Sequence, residues 1–175
     1  MYKERIIDQV LNDVTSVFNA VNIVGPKGCG KTTTAKQRAK TIIEFQNEEE
    51  RENLLMIAST SPIQFLKDPK PILFDEWQDA PKIWGTIRKD CDDHPEDVGS
   101  YYLTGSSSAK VDTPHTGTLR IATIRMNPMS LYELGHSNGE VSLRELFANP
   151  ASFSGCKSNM KTEDVINAIC VGGWP

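Results

Sequence analysis

A glycine-rich segment near the amino terminus carries residues of the types and spacing that bind phosphate groups. It reads Gly25-Pro26-Lys27-Gly28-Cys29-Gly30-Lys31-Thr32 and fits GxxxxGK[ST], the Walker A or P-loop pattern, without a gap. Glycines allow backbone N–H groups to point at phosphate oxygens, and the loop leads into a helix N-terminus, whose dipole favours anions. Lys31 would neutralise the β- and γ-phosphates, and Thr32 would offer its hydroxyl to Mg2+.

This segment predicts a nucleotide-binding loop and excludes a dinucleotide site of the GxGxxG type. The third glycine of that pattern would fall at position 33, which is Thr33. Lys27 and Cys29 occupy free positions of the pattern, so no specific role follows for either. The residues predicted to bind the nucleotide are Gly25, Pro26, Lys27, Gly28, Cys29, Gly30, Lys31, Thr32 and Thr33.

Two adjacent carboxylates end an apolar run farther along the chain, in Ile72-Leu73-Phe74-Asp75-Glu76. In P-loop enzymes an acidic residue at the tip of a buried strand beside the phosphate loop holds Mg2+. We therefore predict Asp75, the Walker B acid, as a metal ligand together with Thr32. Glu76 would then orient and deprotonate an attacking water molecule, which makes it the predicted catalytic base.

Hydroxyl groups follow a third apolar run, in Tyr101-Tyr102-Leu103-Thr104-Gly105-Ser106-Ser107-Ser108. A hydroxyl at the end of a strand lying between the phosphate-loop strand and the acidic strand could bond the γ-phosphate or the attacking water. Thr104 and Ser106 compete for this sensing role. A serine-rich turn that merely closes a strand is the alternative.

The elements that must position these residues follow from apolar runs and helical spacing. Apolar residues recur every three or four positions from Lys3 to Phe18 and predict a packing helix. Continuous apolar runs are typical of strands buried on both faces of a parallel sheet. They predict strands over 20–24, 54–58, 71–74, 101–104 and 119–124, with helices over 31–45 and 80–91. This alternation predicts an α/β fold of three layers, with a central, mainly parallel five-stranded sheet and right-handed crossovers.

Composition and charge exclude several classes of protein. The chain has 175 residues, 38% hydrophobic and 24% charged, which suits one globular domain rather than a disordered or fibrous chain. No stretch approaches the ~20 apolar residues of a membrane span, and the segment MYKERIIDQV lacks the apolar centre of a signal peptide, so we expect a cytoplasmic protein. The four cysteines form no CxxC pair, which argues against a disulfide framework or a zinc knuckle. A net charge of −4 disfavours sequence-independent nucleic-acid binding, although a local basic patch stays open.

Taken in order, the motifs resemble the AAA+ ATPase domain of a large group of prokaryotic ATP-binding proteins of poorly defined role. The resemblance covers about residues 20–175 and rests on GPKGCGKTTT, ILFDEWQDAP, YYLTGSSS, GTLRIATIRMNPMSLYEL and GGWP. It implies an AAA+ type sheet, ATP and Mg2+ as cofactors, and assembly of copies into a homo-oligomer. Lys31 and Thr32 would be phosphate and metal ligands, Asp75 and Glu76 the metal-and-water pair, and Thr104 or Ser106 the sensor.

Arg120 stands where this family usually has a Gly-Arg pair, with Leu119 in place of the glycine. The resemblance makes Arg120 a candidate finger that contacts the nucleotide of a neighbouring copy. An ordinary ion pair at the end of a strand is the alternative. The family continues into a second domain beyond GGWP, so we expect residues 1–150 to form the nucleotide-binding domain with its amino-terminal packing helix. Residues 151–175 would begin a helical or carboxyl-terminal region that is truncated at Pro175.

Two functional hypotheses share these residues. The first is an Mg2+-dependent ATPase that uses activated water to drive a conformational change in an attached carboxyl-terminal domain. The second is a slow-turnover switch or scaffold that acts through ATP- or ADP-dependent assembly. A small-molecule kinase is disfavoured by Glu76, and a nucleic-acid-dependent motor by the net charge. ATP is preferred over GTP because no NKxD-like guanine-binding motif follows the phosphate loop.

Overall fold

A central five-stranded parallel sheet organises the chain in a computed structural model that describes residues 2–106, 120–153 and 155–175. The strand order is β2-β3-β4-β1-β5 and every neighbouring pair is parallel, which confirms the predicted α/β class. The strands are β1 (Ala20–Gly25), β2 (Thr41–Glu44), β3 (Ile72–Asp75), β4 (Tyr101–Ser106) and β5 (Ile121–Arg125).

Helices connect and cover these strands. The α-helices are α1 (Ile6–Thr15), α2 (Lys31–Lys36), α3 (Arg51–Thr60), α4 (Lys82–Asp93), α5 (Leu143–Ala148) and α6 (Thr162–Val171). In the described ranges, short 3-10 helices lie at Pro62–Lys67, Trp77–Asp79 and Pro150–Phe153. The predicted helices over 3–18 and 80–91 are confirmed as α1 and α4, with bounds shifted by a few residues.

One strand prediction was wrong, and with it the length of one helix. The run 54–58 lies inside helix α3, where Leu54, Leu55 and Ala58 pack toward the core and Met56 is 59% exposed. The second strand is instead Thr41–Glu44, inside the segment predicted as a helix over 31–45. A short apolar run fits a strand and a half-buried helix equally well, whereas the β-branched Thr41, Ile42 and Ile43 favour a strand.

Alternate residues of the central strands bury opposite faces of the sheet, which produces the three layers. On one face Ile72, Phe74 and Leu103 pack with Ile83 and Ile87 of α4. The other face packs against α1 and α2, and its cluster contains Leu11, Val21, Ile23, Ala35, Leu73 and Tyr102. Burial on both faces is why these strands are continuously apolar.

A polar cluster lies at the amino-terminal edge of the sheet. Lys70 Nζ donates to Asp90 Oδ2 at 3.0 Å and to Asp97 Oδ2 at 3.2 Å, and the Tyr101 hydroxyl also donates to Asp90 Oδ2. Burial alone would raise the pKa of Asp90, but the hydrogen bonds from Tyr101 and Lys70 and the lysine charge outweigh it and lower the pKa.

The chain forms two compact units, Met1–Asn127 and Pro128–Pro175. The first contains the sheet with α1 to α4, and the second contains α5 and α6. The predicted domain boundary at residue 150 stays a prediction. Among the described residues, every helix is too short or too polar to span a bilayer.

Candidate functional site

The predicted phosphate loop connects strand β1 to helix α2 at the carboxyl edge of the sheet. Gly28 and Gly30 have φ angles of 81° and 99°, in the left-handed region that residues with a Cβ adopt only at a cost. Gly30 immediately precedes α2, so Lys31 and Thr32 are its first two residues. The two glycines therefore turn the chain so that the helix starts directly behind the loop, as anion binding requires.

Lys31 lies inside this loop rather than in solvent. The residue is 5% exposed, and its Nζ donates to the carbonyl oxygens of Gly25 at 3.1 Å and Pro26 at 2.9 Å. An ammonium group has three donors, so these bonds hold the charge within the loop and leave one donor for a further acceptor.

Asp75, the last residue of β3, connects the start of α2 to strand β4. Thr32 Oγ1 donates to Asp75 Oδ1 at 2.6 Å, and Thr104 Oγ1 donates to the same carboxylate oxygen. Thr104 is fully buried and is the register partner of Asp75 across β3 and β4. Three residues that sequence analysis singled out thus meet at one carboxylate, and β4 lies between β1 and β3, as predicted.

Thr32 and Asp75 supply the oxygen ligands that Mg2+ prefers. The described residues contain no group of three or more His, Cys, Asp or Glu side chains placed to hold a metal by themselves. Thr32 and Asp75 could therefore hold a metal ion only if water molecules and the phosphates of a ligand supplied its other ligands. Nucleotide sites commonly hold Mg2+ in this way.

Glu76 follows Asp75 in an unusual backbone conformation. Its φ and ψ of 53° and 47° are left-handed, and no other non-glycine residue in the described ranges has a positive φ. Such a conformation costs of the order of 1–2 kcal/mol for a residue with a Cβ, and strain of this kind clusters at functional sites. The chain changes direction at Glu76 and enters the 3-10 helix at Trp77–Asp79. The carboxylate of Glu76 accepts a hydrogen bond from Gln78 Nε2 in that helix.

Gln78 and the adjacent Trp77 were missed by sequence reasoning. Trp77 is buried and its Nε1 donates to Asn22 Oδ1 at 3.2 Å, which fastens the chain after Glu76 to strand β1. A Cβ at Gly105 would lie 2.8 Å from Gln78 Oε1 and 3.3 Å from Trp77 Nε1. The glycine that follows Thr104 therefore leaves room for the amide that holds Glu76.

Arg5, also missed, fastens the phosphate loop from outside the motif. The residue is 6% exposed, and its two terminal nitrogens donate to the carbonyl oxygens of Cys29 and Asn127, each at 3.0 Å. Its backbone N–H donates to Asp8 Oδ2 at 2.7 Å, which anchors it at the start of α1. Nothing in the spacing of an arginine before an amphipathic helix points to this contact.

Asp8 anchors the same region to the segment after helix α2. It accepts from the Tyr2 hydroxyl at 2.7 Å and from Arg38 Nη1 at 2.7 Å. Burial alone would raise the pKa of Asp8, but the hydrogen bonds from Tyr2, the Arg5 backbone and Arg38 hold it below the ordinary value. The lowered pKa keeps the Asp8 carboxylate ionised at neutral pH, where it forms an ion pair with Arg38.

The remaining predicted residues lie at different ends of the sheet. Ser106 is the register partner of Gly25 and therefore ends β4 beside the start of the phosphate loop. Arg120 precedes β5, whose first residue pairs with Ala20, so it lies at the opposite, amino edge of its own sheet. There its Nε donates to Asp92 Oδ1 at 2.7 Å in a half-exposed ion pair, the alternative considered from sequence. Leu119, Ser107 and Ser108 lie outside the described residues.

Comparisons with known proteins gave a match to one family model and matches to solved structures. Residues 17–135 match the sequence model of the family described as AAA domain. A variant of the RuvB protein of Thermotoga maritima aligns with a TM-score of 0.45 and 16% identity, over 73% of this chain and 46% of that one. The PCH-2 protein of C. elegans aligns with a TM-score of 0.39 and 12% identity, over 78% and 50%. The chain thus spans about half the length of these structures. Comparison with curated proteins gave no significant match.

Proposed function

The chain belongs to the AAA domain family, and from this premise we propose that it is an Mg2+-dependent ATPase that cleaves ATP with an activated water molecule. The observation that carries the proposal is the junction at Asp75. There the first turn of α2, the end of β3 and the interior of β4 meet through Thr32, Asp75 and Thr104, next to a glycine loop that encloses Lys31.

Each proposed role uses a group at the carboxyl edge of the sheet. The backbone N–H groups of Gly25–Thr33 would bind phosphate oxygens, and Lys31 would exchange its loop carbonyls for the β- and γ-phosphates. Thr32 and Asp75 would hold Mg2+, which would supply charge neutralisation to the phosphates. Thr104, already bonded to Asp75, or Ser106, beside Gly25, would report the γ-phosphate.

Glu76 would act as the base in hydrolysis. A water oxygen attacks the γ-phosphorus, the bond between that phosphorus and the β–γ bridging oxygen breaks, and ADP leaves with the electron pair. Glu76 accepts the proton that the water loses. In the structure Gln78 Nε2 donates to one oxygen of this carboxylate, which leaves the other oxygen for the proton of the water.

Five further parts of the proposal rest on sequence and resemblance. Arg120 would act on the nucleotide of a neighbouring copy, because the two edges of one sheet are too far apart for action within the same chain. Homo-oligomers, a cytoplasmic location, and transmission of the cycle to a carboxyl-terminal domain complete the proposal. Preference for ATP over GTP follows from the missing guanine-binding motif.

Phosphate release and nucleotide binding test the proposal separately. Glu76→Gln should abolish steady phosphate release from ATP while preserving ATP affinity, and Lys31→Ala should remove most of that affinity. Glu96→Gln and Lys40→Ala are matched controls, because both residues are exposed and neither belongs to the phosphate loop. Wild-type ATP affinity in Lys31→Ala would contradict the site. Near-zero release in both wild type and Glu76→Gln, with binding intact, would support the nucleotide-gated switch.

Mixing two inactive variants tests the role of Arg120. If sites are shared between subunits, combining Arg120→Ala with Glu76→Gln chains should restore part of the turnover. An absence of rescue in mixed oligomers would remove Arg120 from the site and leave the ion pair with Asp92 as its role.

A further inference from the structure

A second concave site lies on the other side of helix α4 from the sheet. It has a volume of about 490 Å³ and is lined by the first residues of the 3-10 helix at Pro62–Lys67 and by two turns of α4. Its apolar lining includes Pro62, Ile63, Pro81 and Trp84, and Ile63 is 59% exposed. A pocket of this size with a mainly apolar lining is typical of a preformed ligand site.

Three cations surround this pocket in a chain whose net charge is −4. They are Lys82, Arg88 and Lys89. Lys82 donates to the carbonyl oxygen of Ser59 at 2.7 Å. In the described ranges, neither Arg88 nor Lys89 forms an ion pair, although most buried or half-buried cations of the same unit do. The pocket is therefore a local positive site on an acidic protein.

Two buried N–H groups in the pocket lining have no acceptor. Within the described residues, Trp84 Nε1 and Arg88 Nε are both inaccessible and both without a hydrogen-bond partner. An unsatisfied buried donor costs about 1–3 kcal/mol, so native proteins rarely keep two in one place without a use. Because neither atom is accessible from the pocket, an acceptor on a ligand would reach them only after the lining side chains move.

Gly85 leaves open space in the wall of the pocket. It lies inside helix α4, where glycine is less favourable than alanine by about 1 kcal/mol. A Cβ built on Gly85 meets nothing within 4 Å, so no neighbouring residue of this chain requires the glycine. Since Gly85 lines the pocket, its missing side chain leaves space for a backbone or side chain from outside.

We propose that this pocket binds an acidic peptide segment of a partner protein. The three cations and the absence of acidic residues from the described lining favour carboxylates, and the tryptophan, isoleucine and prolines favour apolar side chains between them. Lys82 and Lys89 are seven residues apart, about 10 Å along a helix at ~1.5 Å per residue. That length matches about three residues of extended chain at ~3.3 Å each. An open groove lined over two turns suits a passing chain better than a small ion.

The site can be tested without nucleotide, which separates its failure from failure of the proposed ATPase. The probe is a fluorescein-labelled peptide of alternating Glu and Leu, and the control is the same peptide with Gln in place of Glu. Binding is measured by fluorescence anisotropy. It is measured also by tryptophan emission in a Trp174→Phe background, which leaves Trp77 and Trp84, whose rings are 4.8 Å apart, as reporters.

Two variants of different chemistry should weaken binding of the acidic peptide. Arg88→Gln should reduce affinity at least tenfold, and Gly85→Leu should abolish binding by filling the pocket. Lys40→Gln, the same charge loss at an exposed residue outside the pocket, should leave affinity unchanged. Retained helicity by circular dichroism shows that each variant is folded.

Several results would overturn the proposal. They are equal affinity for the Gln peptide, undiminished binding by Gly85→Leu, and displacement of the peptide by free glutamate or inorganic phosphate at equal concentration, which would indicate a small-anion site. Concentration-dependent self-association that is lost in Arg88→Gln, without peptide binding, would assign the pocket to a second copy of this chain instead.

Discussion

Replacing Arg5 by alanine tests whether the phosphate loop is held in shape from outside the motif. The guanidinium donates to the carbonyl oxygens of Cys29 and Asn127, each at 3.0 Å, from a side chain that is almost fully buried. Hydrogen bonds from a charged group contribute about 1.5–3 kcal/mol each. Cys29 is fully buried, whereas Asn127 is exposed and its carbonyl can bond water instead. We therefore expect Arg5→Ala to lower the free energy of unfolding by about 2–4 kcal/mol.

The same substitution should weaken nucleotide binding, because a loosened loop must be ordered again when phosphate binds. Fixing the backbone of one residue costs about 1–2 kcal/mol, and about 1.4 kcal/mol is a factor of ten in affinity. If one residue around Cys29 becomes free, affinity for ATP should fall roughly 5- to 30-fold. Lys31 and Thr32 are unchanged in this variant, so the loss would come from loop order alone.

Urea unfolding and titration with a fluorescent ATP analogue measure the two effects. Glu4→Ala is the matched control, since Glu4 is the exposed neighbour of Arg5. If Arg5→Ala unfolds within about 0.5 kcal/mol of the wild type and binds the analogue equally well, the loop holds its own shape and our account of Arg5 is wrong.

Three other substitutions probe the edges of the sheet. Gly25→Ala should destabilise the protein by about 2–4 kcal/mol in thermal unfolding, because the added Cβ would lie 2.2 Å from the carbonyl oxygen of Met126, and an unchanged melting temperature would contradict this. Thr104→Val removes a buried donor to Asp75 and should cost about 1–3 kcal/mol in urea unfolding; a cost near zero would mean that Thr32 alone satisfies the carboxylate. Asp90 has a lowered pKa in the folded state, so its contribution is present above about pH 4 and lost as the pH falls through that pKa. Asp90→Asn should therefore be less stable at pH 7 and lose stability less steeply below about pH 4 in a pH series of urea unfolding, and parallel curves for both proteins would contradict the assignment.

The sequence predicts the parts of the site whose signal is local. Gly28 and Gly30 stand in a pattern that requires left-handed backbone, and both have it. Asp75 and Thr104 each end an apolar run, and parallel strands bring such ends to one edge. The hydrogen bond between the Thr104 hydroxyl and the Asp75 carboxylate forms because their strands are neighbours in the sheet. The alternation of strands and helices allows only a few strand orders.

The parts that sequence could not give depend on distant contacts or on ambiguous runs. Arg5 is separated from Asn127 by most of the first unit, and no spacing rule connects them. Gln78 donates to the carboxylate of Glu76, which has a left-handed backbone. Residue type does not predict a left-handed backbone at a glutamate. The strand at Thr41–Glu44 gives no continuous apolar run, because only Ile43 of its four residues is buried. This burial pattern is expected for a strand at the edge of the sheet.

The packing of the sheet and the geometry of the site depend on the same register. Leu103 and Phe74 pack on one face, Tyr102 and Leu73 on the other, and Thr104 faces Asp75 one step farther along. A slip of one residue between β3 and β4 would oppose Asp75 with Leu103 or Gly105 and would exchange the two faces. Either slip removes the hydroxyl from Asp75 and disrupts the packing on both faces of the sheet. The hydrophobic layers therefore hold the proposed site in register, and variants that weaken one layer should loosen the bond at Asp75 before they unfold the domain.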